Sequence, residues 1–170
     1  YGVKDNLLLD DLEMAVGELE YFKALGGRTV VDCTSIGINR QPAKLRELAR
    51  RTGLNIVAGC GYYTYDTHPE DMDGWSAEEI ADQMQRDLTI GMDGTDVKAG
   101  VIGEIGTSNP IRPNEKKSLR AAALVFNENR LGVQVHTYPW GEAGLEAVDI
   151  LVEAGVDPEK IVICHTDIEL

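Results

Sequence analysis

The sequence contains three histidines, and two of them close short β-branched runs: His136 after Val133-Gln-Val, and His165 after Ile161-Val-Ile-Cys. Glu104 closes the run before them, Gly100-Val-Ile-Gly. In a parallel α/β fold, chemistry gathers at the carboxyl ends of strands. One carboxylate and two imidazoles facing a common point there form the donor set of a hard-to-borderline divalent metal. Each residue also has a plainer reading. A lone strand-end histidine is more often hydrogen-bonded scaffold, and a lone glutamate there pairs with an arginine or caps a helix. Their joint appearance on three consecutive strands favours the metal. Asp32 is a weaker candidate, because Asp32-Cys-Thr-Ser before Gly37 reads equally well as a turn with local side-chain bonds. Asp167 reads as a loop residue, and Lys98, ahead of its strand, belongs at the opposite face.

Alternating strands and helices must position these residues. Leu8, Leu12, Val16, Leu19 and Phe22 stripe a helix over Leu7 to Leu25, stopped by Gly26-Gly27. Arg28 to Cys33 is the first strand. Pro42 opens a helix carrying Leu45, Leu48 and Ala49, closed by Gly53. Asn55 to Gly59 is the second strand, followed by a long loop from about Cys60 to Trp75. Ser76 with Glu79 forms a capping box for a helix striped by Ile80, Met84 and Leu88. Gly100 to Glu104 is the third strand. A helix from about Asn114 to Asn129 turns Leu119, Ala122, Ala123 and Phe126 inward. Val133 to His136 is the fourth strand; Leu145, Val148 and Val152 mark the next helix, and Ile161 to His165 is the fifth strand. The alternation predicts a parallel sheet in a single α/β domain over residues 1–170. Five strands at this spacing match about two thirds of an eight-stranded barrel. The final strand lacks a covering helix, so the expectation is a piece of a longer (β/α)8 TIM barrel. A complete five-stranded doubly wound domain is the competing architecture.

The formal charge of −13 disfavours nonspecific binding to nucleic acid or an anionic membrane. No apolar run approaches the roughly 20 residues of a bilayer span. No charged-then-apolar leader is visible, although the sequence starts at Tyr1 rather than Met, so a leader removed or left out is compatible with it. Cys33, Cys60 and Cys164 are odd in number and widely spaced, which reads as three buried thiols in a reducing cytosol rather than a disulfide framework. Gly59-Cys-Gly61 lacks the third glycine of a dinucleotide fingerprint, and Gly103 to Ser108 lacks the Gly-Lys-Ser/Thr of a phosphate loop. Asp71-Met-Asp-Gly74 lacks the spacing of a calcium loop. Cys164 beside His165 is no nucleophile–base pair in a regular strand, where neighbours point to opposite faces.

Several stretches together resemble the phosphotriesterase-related branch of the amidohydrolase superfamily. They are Gly27-Arg-Thr-Val-Val-Asp-Cys-Thr-Ser-Ile-Gly37, Val57-Ala-Gly-Cys-Gly-Tyr-Tyr63 and Ala99-Gly-Val-Ile-Gly-Glu-Ile-Gly-Thr-Ser108, then Val135-His-Thr137 and Gly155 to Asp167. The resemblance implies a (β/α)8 barrel with two divalent metals at its carboxyl-end face, and the five strands would be barrel strands two to six. Glu104 stands where the best-known members carry a carboxylated lysine that bridges the metals, as in the phosphotriesterase homology subgroup with a genuine glutamate. His136 and His165 fall on the histidines that ligate the more exposed metal. Tyr63 falls where lactonase relatives have a tyrosine near the bridging hydroxide and the substrate. The His-x-His pair of strand one and the aspartate of strand eight do not occur in this sequence. The expectation is truncation rather than loss.

The implied activity is that of a binuclear metal-dependent hydrolase, cleaving an ester, lactone, amide or phosphotriester of a small molecule by a metal-bridging hydroxide. Zinc is the first expectation for both ions, with manganese, cobalt or iron as alternatives. The Cys60–Trp75 loop, with Tyr62, Tyr63, Tyr65 and His68, would line the pocket, or else tuck its aromatics onto the barrel rim. The expected setting is cytoplasmic and catabolic, as a homodimer when full length. A noncatalytic small-molecule or metal-binding barrel is the second hypothesis. A doubly wound signalling or nucleotide-binding domain is the third, and it lacks both a phosphate loop and an acidic cluster after a strand.

Overall fold

The computed structural model describes residues 10–167. Among them, five strands form one sheet in the order β1-β2-β3-β4-β5, every neighbouring pair parallel. The strands are β1 (Thr29–Asp32), β2 (Asn55–Cys60), β3 (Val101–Gly106), β4 (Val133–His136) and β5 (Ile161–Ile163). The helices are α1 (Leu12–Ala24), α2 (Pro42–Thr52), α3 (Ala77–Thr89), α4 (Pro113–Asn129) and α5 (Ala143–Glu153). Strands that follow one another in chain order give the topology of a barrel wall. A doubly wound sheet would reverse its order part way across.

Local chemistry explains the boundaries. Pro113 occupies the first turn of α4, where its missing N–H costs nothing. Ser76 and Glu79 exchange both bonds of the expected capping box before α3. Gly53 ends α2 in the left-handed conformation. Asp11 caps α1 by accepting from the amides of Glu13 and Met14. The Leu7–Leu9 part of the expected first helix lies outside the described residues.

The core sits under the middle of the sheet. Ile80 and Met84 of α3 and Leu119, Ala122, Ala123 and Phe126 of α4 are buried with Ile102, Ile105, Val133 and Val135 of the strands. Each large side chain so buried contributes about 1.5–3 kcal/mol. In α5 the structure corrects the expected inner face. Ala143, Ala147 and Leu151 are buried, whereas Leu145 and Val152 are exposed. These three residues, four apart, form one stripe of the helix, which packs chiefly against α4.

An ion network not foreseen from the sequence locks the segment between β1 and α2 onto α3. The Arg40 guanidinium reaches Asp87 at 2.5 Å and Asp93 at 2.7 Å, and Gln83 donates to Asp87 at 3.0 Å. The Asp87 side chain is wholly buried, so its charge depends on these partners.

Candidate metal centre

Glu104 does not close its strand, because β3 continues to Gly106. Its position follows from an irregularity. Ile102 pairs with Val133 and Ile105 with Val135, so three steps on β3 face two on β4. Bulges of this kind re-aim a side chain beside a site. Gly103, at φ +113°, supplies backbone that other residues rarely adopt, and a Cβ there would strike the Gln134 carbonyl. The Gly103–Glu104 peptide is cis. Gly59 of β2 is equally constrained, since a Cβ on it would strike the Gly103 carbonyl. Close strand packing therefore explains that glycine, and nucleotide binding does not.

His136 ends β4, and its carbonyl accepts from the Thr107 amide at 3.0 Å and the Thr107 hydroxyl at 2.8 Å. His165 lies beyond β5, which stops at Ile163; the next residues form a turn, with His165 at φ +66°. The Cys164 amide still donates to Val135 at 2.9 Å, and the Thr137 hydroxyl donates to the Cys164 carbonyl at 3.1 Å. The turn is thereby tied to β4.

One ligand atom from each of Glu104, His136 and His165 lies within 4.8 Å of the others. His165 Nε2 is 2.9 Å from His136 Nδ1, and Glu104 Oε2 is 3.8 Å from the same nitrogen. Ligand atoms bound tetrahedrally at about 2.1 Å from a zinc ion lie roughly 3.4 Å apart, so shifts of about an ångström suffice to seat one. Tyr63 joins this group. Its hydroxyl is 3.1–3.2 Å from the two His136 ring nitrogens, and the rings are 4.6 Å apart.

The electrostatics suit a cation. Burial, with the nearby His165, pushes His136 down to about 4. Neutral imidazole carries the lone pair that a metal requires, and the 3.8 Å approach to Glu104 is then not an ion pair. Burial raises Glu104 above the usual carboxylate range, partly offset by the Cys164 thiol and by His165. A buried carboxyl and two converging imidazoles are a fitting donor set for a divalent ion.

The other candidates fall elsewhere. Asp32 accepts from the Thr34 amide at 3.0 Å, the local turn bond. Asp167 is exposed in the final turn, and Lys98 precedes β3. His68 donates from Nε2 to the Tyr63 carbonyl at 2.7 Å, a structural role. Tyr62 is buried, edge-on to Trp75, and the two line a cavity with Glu79, Gln83 and Arg86 that does not include Glu104, His136 or His165. Tyr65 lies under the Arg112 guanidinium, 4.6 Å from its ring centroid.

The sequence reads all three cysteines as buried thiols, yet only Cys60 is buried; Cys33 and Cys164 are partly exposed and make polar contacts that the sequence does not show. Cys164 lies in the turn rather than in a regular strand, and its side chain hydrogen-bonds Glu104. Burial and then Glu104 raise it to about 11, which keeps it a thiol at neutral pH. Cys33 donates to Gln134 Oε1 at 2.5 Å, and burial above all pushes it up to about 12. No sequence spacing marks either contact, because both cross between distant strands.

A parallel sheet in sequential order, with imidazoles and a carboxylate gathered at its carboxyl ends, defines a (β/α)-barrel protein with a metal-type donor set. The chain belongs to the phosphotriesterase family, whose profile matches residues 4–170. It is 42% identical over 170 residues to the N-acetyltaurine hydrolase of Danio rerio, covering 98% of this chain and 48% of that protein. The crystal structure of a resiniferatoxin-binding protein from Rhodobacter sphaeroides superposes with TM-score 0.89 at 41% identity, covering 92% of this chain and 44% of that one. The lactonase Lmo2620 from Listeria monocytogenes gives TM-score 0.87 at 28% identity, covering 95% and 54%. The chain thus spans about half the length of the curated relatives it matches, and its five strands are part of a (β/α)8 barrel.

No helix among the described residues is long and apolar enough to cross a membrane.

Proposed function

We propose that this chain carries part of the active site of a metal-dependent hydrolase that cleaves a carbonyl–heteroatom bond in a small molecule. The convergence of Glu104, His136 and His165 within 4.8 Å carries the reading. The similarity to an amide hydrolase and to a lactonase favours an amide, ester or lactone over a phosphotriester. His136 and His165 would hold one divalent ion, zinc first among the candidates. The two oxygens of Glu104 suit a bridge to a second. A bound ion supplies Lewis acidity, lowering the pKa of water and polarising the substrate oxygen. The residues supply the rest. Neutral His136 offers its lone pair without first losing a proton. Tyr63, against His136, presents a hydroxyl that can orient a substrate oxygen. A cytoplasmic homodimer with a catabolic role completes the proposal.

The similarity to a resiniferatoxin-binding protein supports the second reading, a barrel that binds a small molecule without turning it over. A panel of lactones and N-acyl amides assayed on the metal-loaded intact protein separates the two.

The site itself is tested at Glu104. Glu104→Gln keeps the size but replaces one ligand oxygen with an amide nitrogen that does not ligate. Metal analysis should show loss of at least one equivalent, with most of the turnover gone and the fold retained. Glu104→Lys should be partly rescued by bicarbonate, because carboxylation rebuilds a bridging anion, whereas the wild type should show no bicarbonate dependence. Unchanged metal content and rate in Glu104→Gln would sink the reading.

A further inference from the structure

Two loops flank the candidate centre, and one side chain outside it joins them. The first loop follows β2 and carries Tyr63; the second follows β3 and runs from Thr107 to Arg112. Glu115, in the first turn of α4, is wholly buried. Its Oε1 accepts from the Tyr65 amide at 3.0 Å and the Ser108 hydroxyl at 2.6 Å. Its Oε2 accepts from the Ser108 amide at 3.0 Å and the Arg112 amide at 2.8 Å. Four donors thus meet two oxygens. A glutamate satisfies all four, whereas a glutamine must turn an NH₂ group toward one pair. The helix N-terminus further favours negative charge at this position.

The same turn of α4 holds the rest of the first loop. Asn114 donates to Asp73 at 2.6 Å, and Lys117 Nζ donates to the carbonyls of Met72 at 2.8 Å and Trp75 at 2.9 Å. Inward from Glu115, the first loop lies directly on β3. The Gly106 amide donates to the Tyr62 carbonyl at 3.0 Å, and a Cβ on Gly106 would strike the Tyr63–Thr64 peptide. Glu115, the loop backbone, Tyr63 and the His136 ring therefore form one continuous chain of contacts.

We propose that Glu115 is a positioning residue of this enzyme: its buried carboxylate fixes the two loops against each other and so sets Tyr63 over His136 for substrate. The role rests on the hydrolase reading above. Glu115 touches neither the ligand atoms nor the substrate and acts through Tyr63 and the loop backbone.

The test uses the intact protein loaded with Zn²⁺. Glu115→Gln should raise amide exchange at Tyr65, Ser108 and Arg112 at least tenfold, with the sheet amides of Ile102 and Val135 unchanged. Zinc content should stay at the wild-type level. For whichever lactone or N-acyl amide the wild type hydrolyses, KM should rise about tenfold, more than kcat falls. Glu115→Asp keeps both oxygens on a shorter arm and should recover part of the loss; it also carries the test if Glu115→Gln does not fold. Wild-type exchange at the three amides, or wild-type KM and kcat in both variants, would overturn the proposal. Deprotected amides alongside a Glu104→Gln variant with full metal and full turnover would instead retain the clamp and remove the metal site it is meant to serve.

Discussion

The middle of the sheet and its two margins are built differently. Between β3 and β4, the strands meet α4, which buries nine of its residues, Leu119 and Phe126 among them. At the margins, α1 has no fully buried residue, and it exposes Met14, Tyr21 and Phe22. On the other side Leu145 of α5 and Val162 of β5 are exposed. The margins carry apolar side chains of core type in surface positions. The metal-type residues respect the same division. Glu104 and His136, on the two central strands, are largely buried, whereas His165, beyond the marginal β5, is exposed. The buried strands under α4 and the Tyr63 ring against His136 hold the central pair in place, while hydrogen bonds to β4 hold the last ligand candidate.

The largest effect that can break this comparison is a pair of identical truncations. Phe126→Ala empties a site that is 1% exposed and should cost about 3–5 kcal/mol. Phe22→Ala, at a ring 40% exposed on α1, should cost about 1 kcal/mol or less. Urea unfolding of the two variants measures the ratio. Equal losses would mean that α1 is as integral to the core as α4.

The second effect is electrostatic and belongs to the metal-free protein. Burial lowers His68 and, down to about 4, His136, from an ordinary value of 6.5. In the window below 6.5 the unfolded chain binds more protons than the folded one, so stability should fall as pH drops toward 4. For His136 the loss is at most about 3 kcal/mol. Glu104 is raised and acts in the opposite sense just above 4.5, which flattens the acid end of the curve. Denaturant midpoints between pH 7 and 5 should therefore decline in the wild type and decline less in His136→Gln. A slope unchanged by that substitution would place the sensitivity elsewhere.

The strands were legible because β-branched runs bounded by turn residues leave few alternatives, and α3 and α4 were legible because stripe, cap and breaker agreed. Strand-end logic anticipated that Glu104, His136 and His165 converge, although β3 runs two residues past Glu104 and His165 lies in the turn after β5. What was not legible depended on contacts across the chain. The β3 bulge that turns Glu104 sits where Gly59 packs on Gly103 and Gly103 on Gln134, close approaches that periodicity does not record. The buried face of α5 is Ala143, Ala147 and Leu151 rather than Leu145 and Val152, and two alanines in that stripe give hydropathy periodicity little to read. Cys164 was placed in a regular strand, yet β5 ends one residue earlier. Glu115 left a trace, an acidic residue three positions into a Pro-initiated helix, but its four donors come from separate loops. Arg40 and Asp87 stand 47 residues apart, and nothing in the sequence pairs them.

The smallest effect on stability sharpens the comparison most directly. β1 pairs only with β2, and β5 only with β4, among the described residues, so each presents an unsatisfied row of backbone donors and acceptors. Such edges template pairing with another chain unless charge blunts them. Val31 and Val162, 43% and 50% exposed, are apolar where a blunted edge would carry lysine. The 170-residue chain produced on its own should therefore self-associate, with sedimentation showing a concentration-dependent mass. Val31→Lys combined with Val162→Lys should change unfolding free energy by about 0.5 kcal/mol or less per site, because exposed substitutions seldom do more. The double variant should nevertheless shift the chain toward monomer. A wild-type chain that is already monomeric and melts cooperatively would show that the margins are finished surfaces, and the contrast with the centre would then be one of degree.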